Sequence, residues 1–170
     1  PDDEGIFVTG PMGFGHRRLS VIDLSYRSHQ PMVDDELGLS LVFNGAIYNY
    51  RELRAELIEA GYRFFSEGDT EVIIKAFHRW GETCVGKLNG MFAFAIWDKN
   101  KQSLLIARDR SGIKQLYFSQ KQERFLFASN TQALIHTADK IDTSLYSAAL
   151  HLLFTLHAGV PAPRTVVKGV

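Results

Sequence analysis

Cysteine is nearly absent from this 170-residue sequence, in which Cys84 stands alone. A single cysteine excludes an internal disulfide, as is typical of proteins that work in a reducing compartment. No apolar run approaches the length of a membrane span, and no segment has the pattern of a secretory signal peptide. These absences predict a cytoplasmic protein without a membrane partner.

Net charge is absent as well, because 19 Lys and Arg residues balance 19 Asp and Glu residues. Without a basic excess or a basic run, binding to nucleic acid is not expected. The six histidines are scattered, and none stands with carboxylates at metal-ligand spacing, so no metal site is predicted. Gly5 and Gly10 are spaced as in a phosphate loop, but Pro11 and Met12 follow where Lys and Ser or Thr are required. No cofactor site is therefore expected.

Two successive helices are predicted from capping residues and apolar spacing. Asn49 is suited to cap the first helix, and Gly61 ends it. Asp69 or Thr70 caps the second helix, and Gly81 ends it. The second helix has a core-facing stripe formed by Val72, Ile73, Ala76, Phe77 and Trp80.

Apolar segments of strand length precede and follow these helices, at residues 5–9, 14–23, 39–43, 91–97, 103–107, 116–119 and 125–128. Met91–Trp97 is apolar throughout, which indicates a strand buried on both faces. Further helices are predicted at residues 131–136 and after Asp142 or Thr143, the latter including Leu145. Because hairpins and helices are segregated along the chain, the predicted fold class is α+β, arranged as a layered sandwich.

The stretch Leu39–Tyr50 contains a polar break between two apolar runs. Asn44-Gly45 is the strongest short signal for a β-hairpin, so these residues alone favour a turn. Gly45 also permits close approach of a ligand to the main chain, which leaves a functional site as the alternative.

Six blocks of sequence, taken together, resemble the glutaminase domain of asparagine synthetase and its relatives. These proteins are class II glutamine amidotransferases with an N-terminal nucleophile. The blocks, which occur in the family's order and cover nearly the whole chain, are GHRRLSVIDLS (15–25), QPM (30–32), FNGAIYNYRELRAEL (43–57), GDTEVI (68–73), GMFAFAIWD (90–98) and RDRSGIK (108–114). Within this family, HAGVPAPRT (157–165) and FNGAIYNY are similar to N-acetylglutaminylglutamine amidotransferase.

The resemblance implies a four-layer αββα sandwich of the N-terminal-nucleophile hydrolase type, with two antiparallel sheets between helices. It implies a glutaminase domain over residues 1–140 that lacks its first strands. Residues 141–170 are then a helix and a segment that leads toward an absent ATP-dependent synthetase domain. ATP and Mg²⁺ belong to that absent domain, and the resemblance is compatible with a homodimer.

The nucleophile that the family uses is the thiol of an N-terminal cysteine, whose own α-amine is the base. The thiol attacks the glutamine amide, releases ammonia and leaves a glutamyl thioester for water. The opening residues Pro1–Gly5 are similar to a segment that follows this cysteine, so the chain by itself is expected to be inactive. Cys84 does not match the position of the nucleophile, and its surroundings indicate a buried, inert thiol.

The resemblance assigns the glutamine pocket to residues from three parts of the chain. The Asn44 side-chain amide and the Gly45 backbone N–H form the oxyanion hole. Arg18 matches the residue that binds the α-carboxylate of glutamine through two parallel hydrogen bonds, whereas Arg17 faces the other way along a strand. Asp69 matches a carboxylate that holds the α-ammonium.

Main-chain groups of Leu19, Ser20, Val21 and Ile22 are expected to line the same pocket. The sequence departs from the family at Ala46, where a Glu usually helps to hold the α-ammonium. Loss of such a charged partner typically costs about 1.5–3 kcal/mol. Gln115, which stands where the family usually has Pro, is expected to affect only a loop.

The predicted function is glutamine hydrolysis that supplies ammonia to an asparagine synthetase-like, amide-forming domain. Two alternatives remain open. One is a degenerate glutamine-binding or regulatory domain that senses glutamine without hydrolysing it. The other is the amidotransferase domain of a different pathway, such as sugar amination.

Overall fold

The computed structural model describes residues 2–19, 22–137, 141–155, 160 and 165–170. The chain divides into two units, Pro1–Lys114 and Gln115–Val170. The predicted boundary between a glutaminase domain and a connecting segment near residue 140 stays a prediction. Among the described residues, no helix has both the length and the apolar content needed to cross a membrane.

The described residues of the first unit form six strands and two α-helices. The strands are β1 (Asp3–Thr9), β2 (Met12–Arg18), β3 (Met32–Asp34), β4 (Leu39–Ile47), β5 (Gly90–Asp98) and β6 (Ser103–Arg108). The helices are α1 (Tyr50–Glu59) and α2 (Asp69–Trp80), and short 3₁₀ helices span Tyr26–Ser28 and Gly81–Lys87. Strands β1 and β2 form an antiparallel ribbon, and β3, β4, β5 and β6 form an antiparallel sheet in that order.

Strand β5 is buried on both faces, as its unbroken apolar sequence predicts. Phe92, Phe94 and Ile96 belong to the main core, which includes residues of α1 and α2. The alternate residues Ala93 and Ala95 are buried as well. Because side chains of a strand alternate between its faces, this burial requires cover on both sides of the sheet.

Strand β4 runs straight through Asn44 and Gly45, so the hairpin turn favoured by the local sequence is wrong. Asn44 pairs with Ala93 and Gly45 pairs with Phe92, and the strand continues to Ile47. The partner strand β5 lies far downstream in the sequence, beyond both helices. Nothing in the Asn-Gly stretch itself therefore predicts this pairing. Long-range pairing therefore overrides the local turn preference.

The two predicted helices are present, but their caps differ from the prediction. Asn49 occupies the N-cap position of α1, yet its side chain bonds to Lys87 O and Asn89 N, each at 2.9 Å. Gly68 is the N-cap of α2, and Asp69 is its first residue. Neither Asp69 nor Thr70 therefore occupies the N-cap position, although the Asp69 carboxylate accepts from the Thr70 N–H in the first turn as well as from Ile47 N on β4.

The second unit contains the hairpin of β7 (Tyr117–Lys121) and β8 (Arg124–Ala128), with α3 (Thr131–Ile135) and α4 (Ser147–Thr155). Helix α4 begins later than predicted. Asp142 instead accepts a hydrogen bond from Ser144 N at 2.9 Å, and Leu145 forms an isolated bridge with Val167. The antiparallel hairpins and the segregated helices confirm the predicted α+β class.

Candidate functional site

Arg18 ends β2 on the buried face of that strand. Met12 and Phe14, at alternate positions, are also buried, whereas Arg17 is exposed. Arg17 lies 3.7 Å from the exposed Glu4 carboxylate on β1. The alternation predicted for the two arginines is therefore present, and the interior of the protein holds the Arg18 guanidinium.

The Arg18 guanidinium is held by main-chain carbonyls of the loop that follows β2. Its Nη1 donates to Ser25 O at 3.3 Å, and its Nη2 donates to Ile22 O at 3.3 Å and to Asp23 O. Within the described part of the chain, no carboxylate forms an ion pair with it. Because a guanidinium has five N–H donors, the cation is oriented and still able to bind an anion.

Asp69 places a buried carboxylate beside the end of β4. It is only 4% exposed, and its Oδ2 accepts a hydrogen bond from Ile47 N at 2.9 Å. Burial raises the pKa of Asp69, although hydrogen bonds from the N–H groups of Ile47 and Thr70 and the charge of Arg18 act in the opposite direction. The site thus presents a cation and an anion that interact electrostatically without forming an ion pair with each other.

Gly45 is required by the sheet itself. Its φ is +157°, and a Cβ at this position would lie 2.1 Å from Met91 O and 2.8 Å from Phe92 Cα. The sequence suggested that Gly45 lets a ligand come close to the main chain. In the structure, the backbone of β5 is what comes close to Gly45. Its role in an oxyanion hole stays a prediction.

Asn44 and Ala46 flank this glycine on β4. Asn44 is exposed, and among the described residues no hydrogen bond engages its side chain, so the amide is available to a ligand. Ala46 is half-buried and directly precedes Ile47, whose N–H is bound by Asp69. Strand β4 therefore brings no charge to the site at Ala46, and the effect of this residue on glutamine binding stays a prediction.

Two residues that the sequence did not single out hold the main chain before Asn44. His16 Nε2 lies 3.0 Å from Phe43 O, and Gln30 Oε1 accepts a hydrogen bond from Phe43 N at 2.7 Å. Because a carbonyl oxygen only accepts, the His16 ring donates this hydrogen bond to Phe43 O, and burial lowers the pKa of His16. Because both backbone polar groups of Phe43 are bound, the position of Asn44 is well defined. Neither side chain belongs to a local motif that predicts this contact.

The loop after β2 is described only in part. Ser20 and Val21, which were expected to line the pocket, lie outside the described residues. Leu19 is exposed, and the Ile22 carbonyl accepts from Arg18. The contribution of Leu19–Ile22 to a pocket stays a prediction.

Cys84 is fully buried in the 3₁₀ helix that follows α2. Burial raises the pKa of its thiol to about 11. Because the thiolate is the reactive form of cysteine, Cys84 is inert near neutral pH, as its sequence surroundings predicted. No group of side chains able to hold a metal ion occurs in the part of the chain that the structure describes.

The family of glutamine amidotransferase domains matches residues 1–170. The chain belongs to this family. Together with the curated relatives described next, this match confirms the predicted resemblance to the glutaminase domain of asparagine synthetases.

Two curated relatives are asparagine synthetases [glutamine-hydrolyzing] of Bacillus subtilis (strain 168). This amidotransferase domain is 39% identical to asparagine synthetase 1 of that organism over 166 residues, which are 98% of the chain and 26% of the relative. It is 38% identical to asparagine synthetase 3 of the same organism over 172 residues, which are 100% of the chain and 28% of the relative. The chain thus spans about a quarter of the length of these relatives.

A solved structure supports the fold assignment. It is the glutamine phosphoribosylpyrophosphate (PRPP) amidotransferase from B. subtilis complexed with ADP and GMP. The TM-score is 0.60 at 25% identity, over 72% of this chain and 28% of that one. This likeness confirms the predicted sandwich fold of the N-terminal-nucleophile hydrolase type.

Proposed function

We propose that this amidotransferase domain hydrolyses glutamine and supplies the ammonia to an ATP-dependent, amide-forming domain of the same polypeptide. The observation that carries the proposal is the pair of Arg18 and Asp69. Among the described residues no carboxylate pairs with the buried Arg18 cation. This cation and the buried Asp69 carboxylate are complementary to the α-carboxylate and α-ammonium of an amino acid. Relatives that are glutamine-hydrolysing asparagine synthetases support glutamine as that amino acid.

In the proposed reaction, glutamine lies with its side-chain amide beside the exposed end of β4. The Asn44 amide and the Gly45 N–H donate hydrogen bonds to the oxyanion that forms when a thiolate attacks the amide carbon. Cys84 does not supply that thiolate, because it is buried and its pKa is raised. The nucleophile is therefore assigned to a residue outside these 170, and this segment by itself is proposed to be inactive.

The acceptor of the ammonia is not specified by this domain. In this proposal, ATP and Mg²⁺ bind to the synthetase domain and not to the amidotransferase domain. Asparagine synthetase-like amide formation is favoured over sugar amination by the curated relatives named above. The resemblance to N-acetylglutaminylglutamine amidotransferase, the homodimer and the cytoplasmic location stay predictions.

The test is ammonia release from glutamine by the full-length protein. We expect stoichiometric glutamate and ammonia, unchanged in a Cys84→Ala variant and absent from the isolated 170-residue segment. Binding of glutamine without release of ammonia would contradict the proposal and favour a regulatory glutamine-binding domain. Loss of activity in Cys84→Ala without loss of folding would contradict the assignment of Cys84 as inert.

Ala46→Glu is expected to lower the KM for glutamine roughly tenfold, which corresponds to about 1.4 kcal/mol. The added carboxylate would join Asp69 at the α-ammonium. That group lies away from the reacting amide, so its contact is made equally in the ground state and the transition state. Such uniform binding changes KM and leaves kcat nearly unchanged.

The matched control for this substitution is Ala46→Gln, which adds similar volume without charge. Steady-state ammonia release over a range of glutamine concentrations gives both constants. An unchanged or higher KM for Ala46→Glu would mean that another acid supplies the charge, or that the donor is not free glutamine.

The pH dependence of glutamine use is expected to show an acid limb that belongs to Asp69. Asp69 must be ionised to hold an ammonium, and burial raises its pKa above the ordinary value of 3.8. As the pH falls through this raised pKa, protonation removes the charge and kcat/KM declines, with a midpoint above 3.8.

Asp69→Asn tests this assignment, since it removes the titrating group but keeps an oxygen that accepts from Ile47 N. We expect a lower kcat/KM at neutral pH and loss of the acid limb that the parent protein shows, measured where circular dichroism shows an intact fold. An acid limb that persists unchanged in Asp69→Asn would assign the titration to another group.

A further inference from the structure

Asp23 links two segments of the site that are far apart in sequence. Its Oδ2 accepts hydrogen bonds from Ser28 Oγ at 2.6 Å and from Glu67 N at 2.9 Å, and its Oδ1 accepts from Ser25 N at 3.0 Å. Its own carbonyl accepts from the Arg18 guanidinium. Asp23 therefore contacts the α-carboxylate-binding arginine through its main chain and the segment before α2 through its side chain.

The segment on the other side of this link is fixed by additional contacts. Arg54 on α1 donates to Ser66 O at 2.8 Å. The fully buried Glu71 accepts from Phe65 N at 3.0 Å and from Ser66 N at 2.7 Å. Residues 65–67, which lead directly into Asp69, are thus fixed by hydrogen bonds with both α1 and α2. Asp23 connects the loop that binds Arg18 to this fixed segment.

The two segments touch closely where Asp23 joins them. A Cβ on Gly68 would lie 2.6 Å from Ser28 Oγ and 3.5 Å from the Cβ of Asp23. Asp23 itself has a φ of +52°, a left-handed conformation that few residues other than Gly, Asn and Asp adopt readily. Burial opposes its ionisation, but hydrogen bonds from Ser25, Ser28 and Glu67 outweigh burial and hold the pKa of Asp23 well below its ordinary value.

We propose that Asp23 is a positioning residue that sets the separation between Arg18 and Asp69. It would thereby determine that the site selects ligands with a carboxylate and an ammonium on the same carbon. A ligand gains both contacts only when the two protein charges are held at a matching distance, because preorganisation avoids the cost of ordering them during binding. This inference rests on the proposed function, since it specifies how the same site recognises the α-amino acid group.

The test uses the full-length protein and compares glutamine with glutaramate, which has the same carboxylate and amide but lacks the α-ammonium. Asp23→Gly removes the carboxylate and retains a residue that adopts φ +52° without strain. We expect the KM for glutamine to rise roughly tenfold, whereas the competitive inhibition constant of glutaramate changes by less than about twofold. Asp23→Asn, which tolerates the same backbone and keeps one acceptor oxygen, should fall between the parent and Asp23→Gly.

Asp142→Asn is the matched control, because Asp142 accepts from Ser144 N with the same Asp-x-Ser spacing and lies in the other unit. It should leave both constants unchanged. Equal weakening of glutamine and glutaramate in Asp23→Gly would show that Asp23 only supports the Arg18 loop, and would overturn the inference. No change in either constant would overturn it as well.

Ser28 offers a second variant of the same hydrogen-bond network. If Asp23→Gly does not fold, Ser28→Ala is used instead, because it removes one of the two donors to Asp23 Oδ2. It should raise the KM for glutamine less than Asp23→Gly does and leave the inhibition constant of glutaramate unchanged. If the parent protein does not hydrolyse glutamine, the proposed function fails. Calorimetric binding of glutamine and glutaramate to parent and variant then still decides the role of Asp23.

Discussion

Arg18→Ala in the full-length protein is expected to reduce kcat/KM for glutamine by roughly 100-fold or more, that is, by about 3 kcal/mol. Two charge-assisted hydrogen bonds to the α-carboxylate would be lost. The carbonyls of Ile22, Asp23 and Ser25 would also lose their donor, so the loop after β2 would no longer be ordered in the same way. Steady-state ammonia release measures the effect.

The matched control is Arg17→Ala, one residue earlier on the same strand. Arg17 is exposed, and its 3.7 Å contact with Glu4 is a surface pair, which contributes little to stability. We expect near-parental kinetics for Arg17→Ala and an intermediate loss for Arg18→Lys, which keeps the charge but cannot form two parallel hydrogen bonds. A loss in Arg17→Ala as large as in Arg18→Ala would contradict the assignment of the buried face of β2.

Gly45→Ala is expected to reduce the free energy of unfolding by about 3 kcal/mol, or to prevent folding. The new Cβ would overlap Met91 O and Phe92 Cα on β5, which are backbone atoms and cannot rotate away. The strand pair β4–β5 lies at the centre of the sheet, so separating the strands would also disturb the core around Phe92 and Phe94. Urea unfolding followed by circular dichroism measures the change.

Gly15→Ala provides the matched control in the neighbouring ribbon. A Cβ on Gly15 has no atom within 4 Å, and its backbone is not left-handed. This substitution should change the free energy of unfolding by less than about 0.5 kcal/mol. If Gly45→Ala were as well tolerated as Gly15→Ala, the close approach of β5 would not be the reason for a glycine at this position.

Elements whose signals are local follow from the amino-acid sequence alone. Continuous apolar content in Met91–Trp97 predicts a doubly buried strand, and the apolar spacing between Val72 and Trp80 predicts helix α2, although the structure buries Asp69–Phe77 on all sides rather than along one stripe. The two-residue period of a strand is enough to separate Arg18 from Arg17. Each inference needs only neighbouring residues, because periodicity and side-chain direction are properties of a short segment.

Features that depend on contacts between distant residues arise only in the folded chain. The pairing of β4 with β5 turns Asn44-Gly45 from a predicted hairpin into continuous strand. His16 and Gln30 form hydrogen bonds with the main chain of Phe43, and Asp23 accepts one from Glu67 N in the segment before Asp69. These hydrogen bonds join residues separated by 13 to 44 positions. Such contacts leave no periodic trace in the sequence, because their free energy arises only when folding brings the partners together and excludes water from between them.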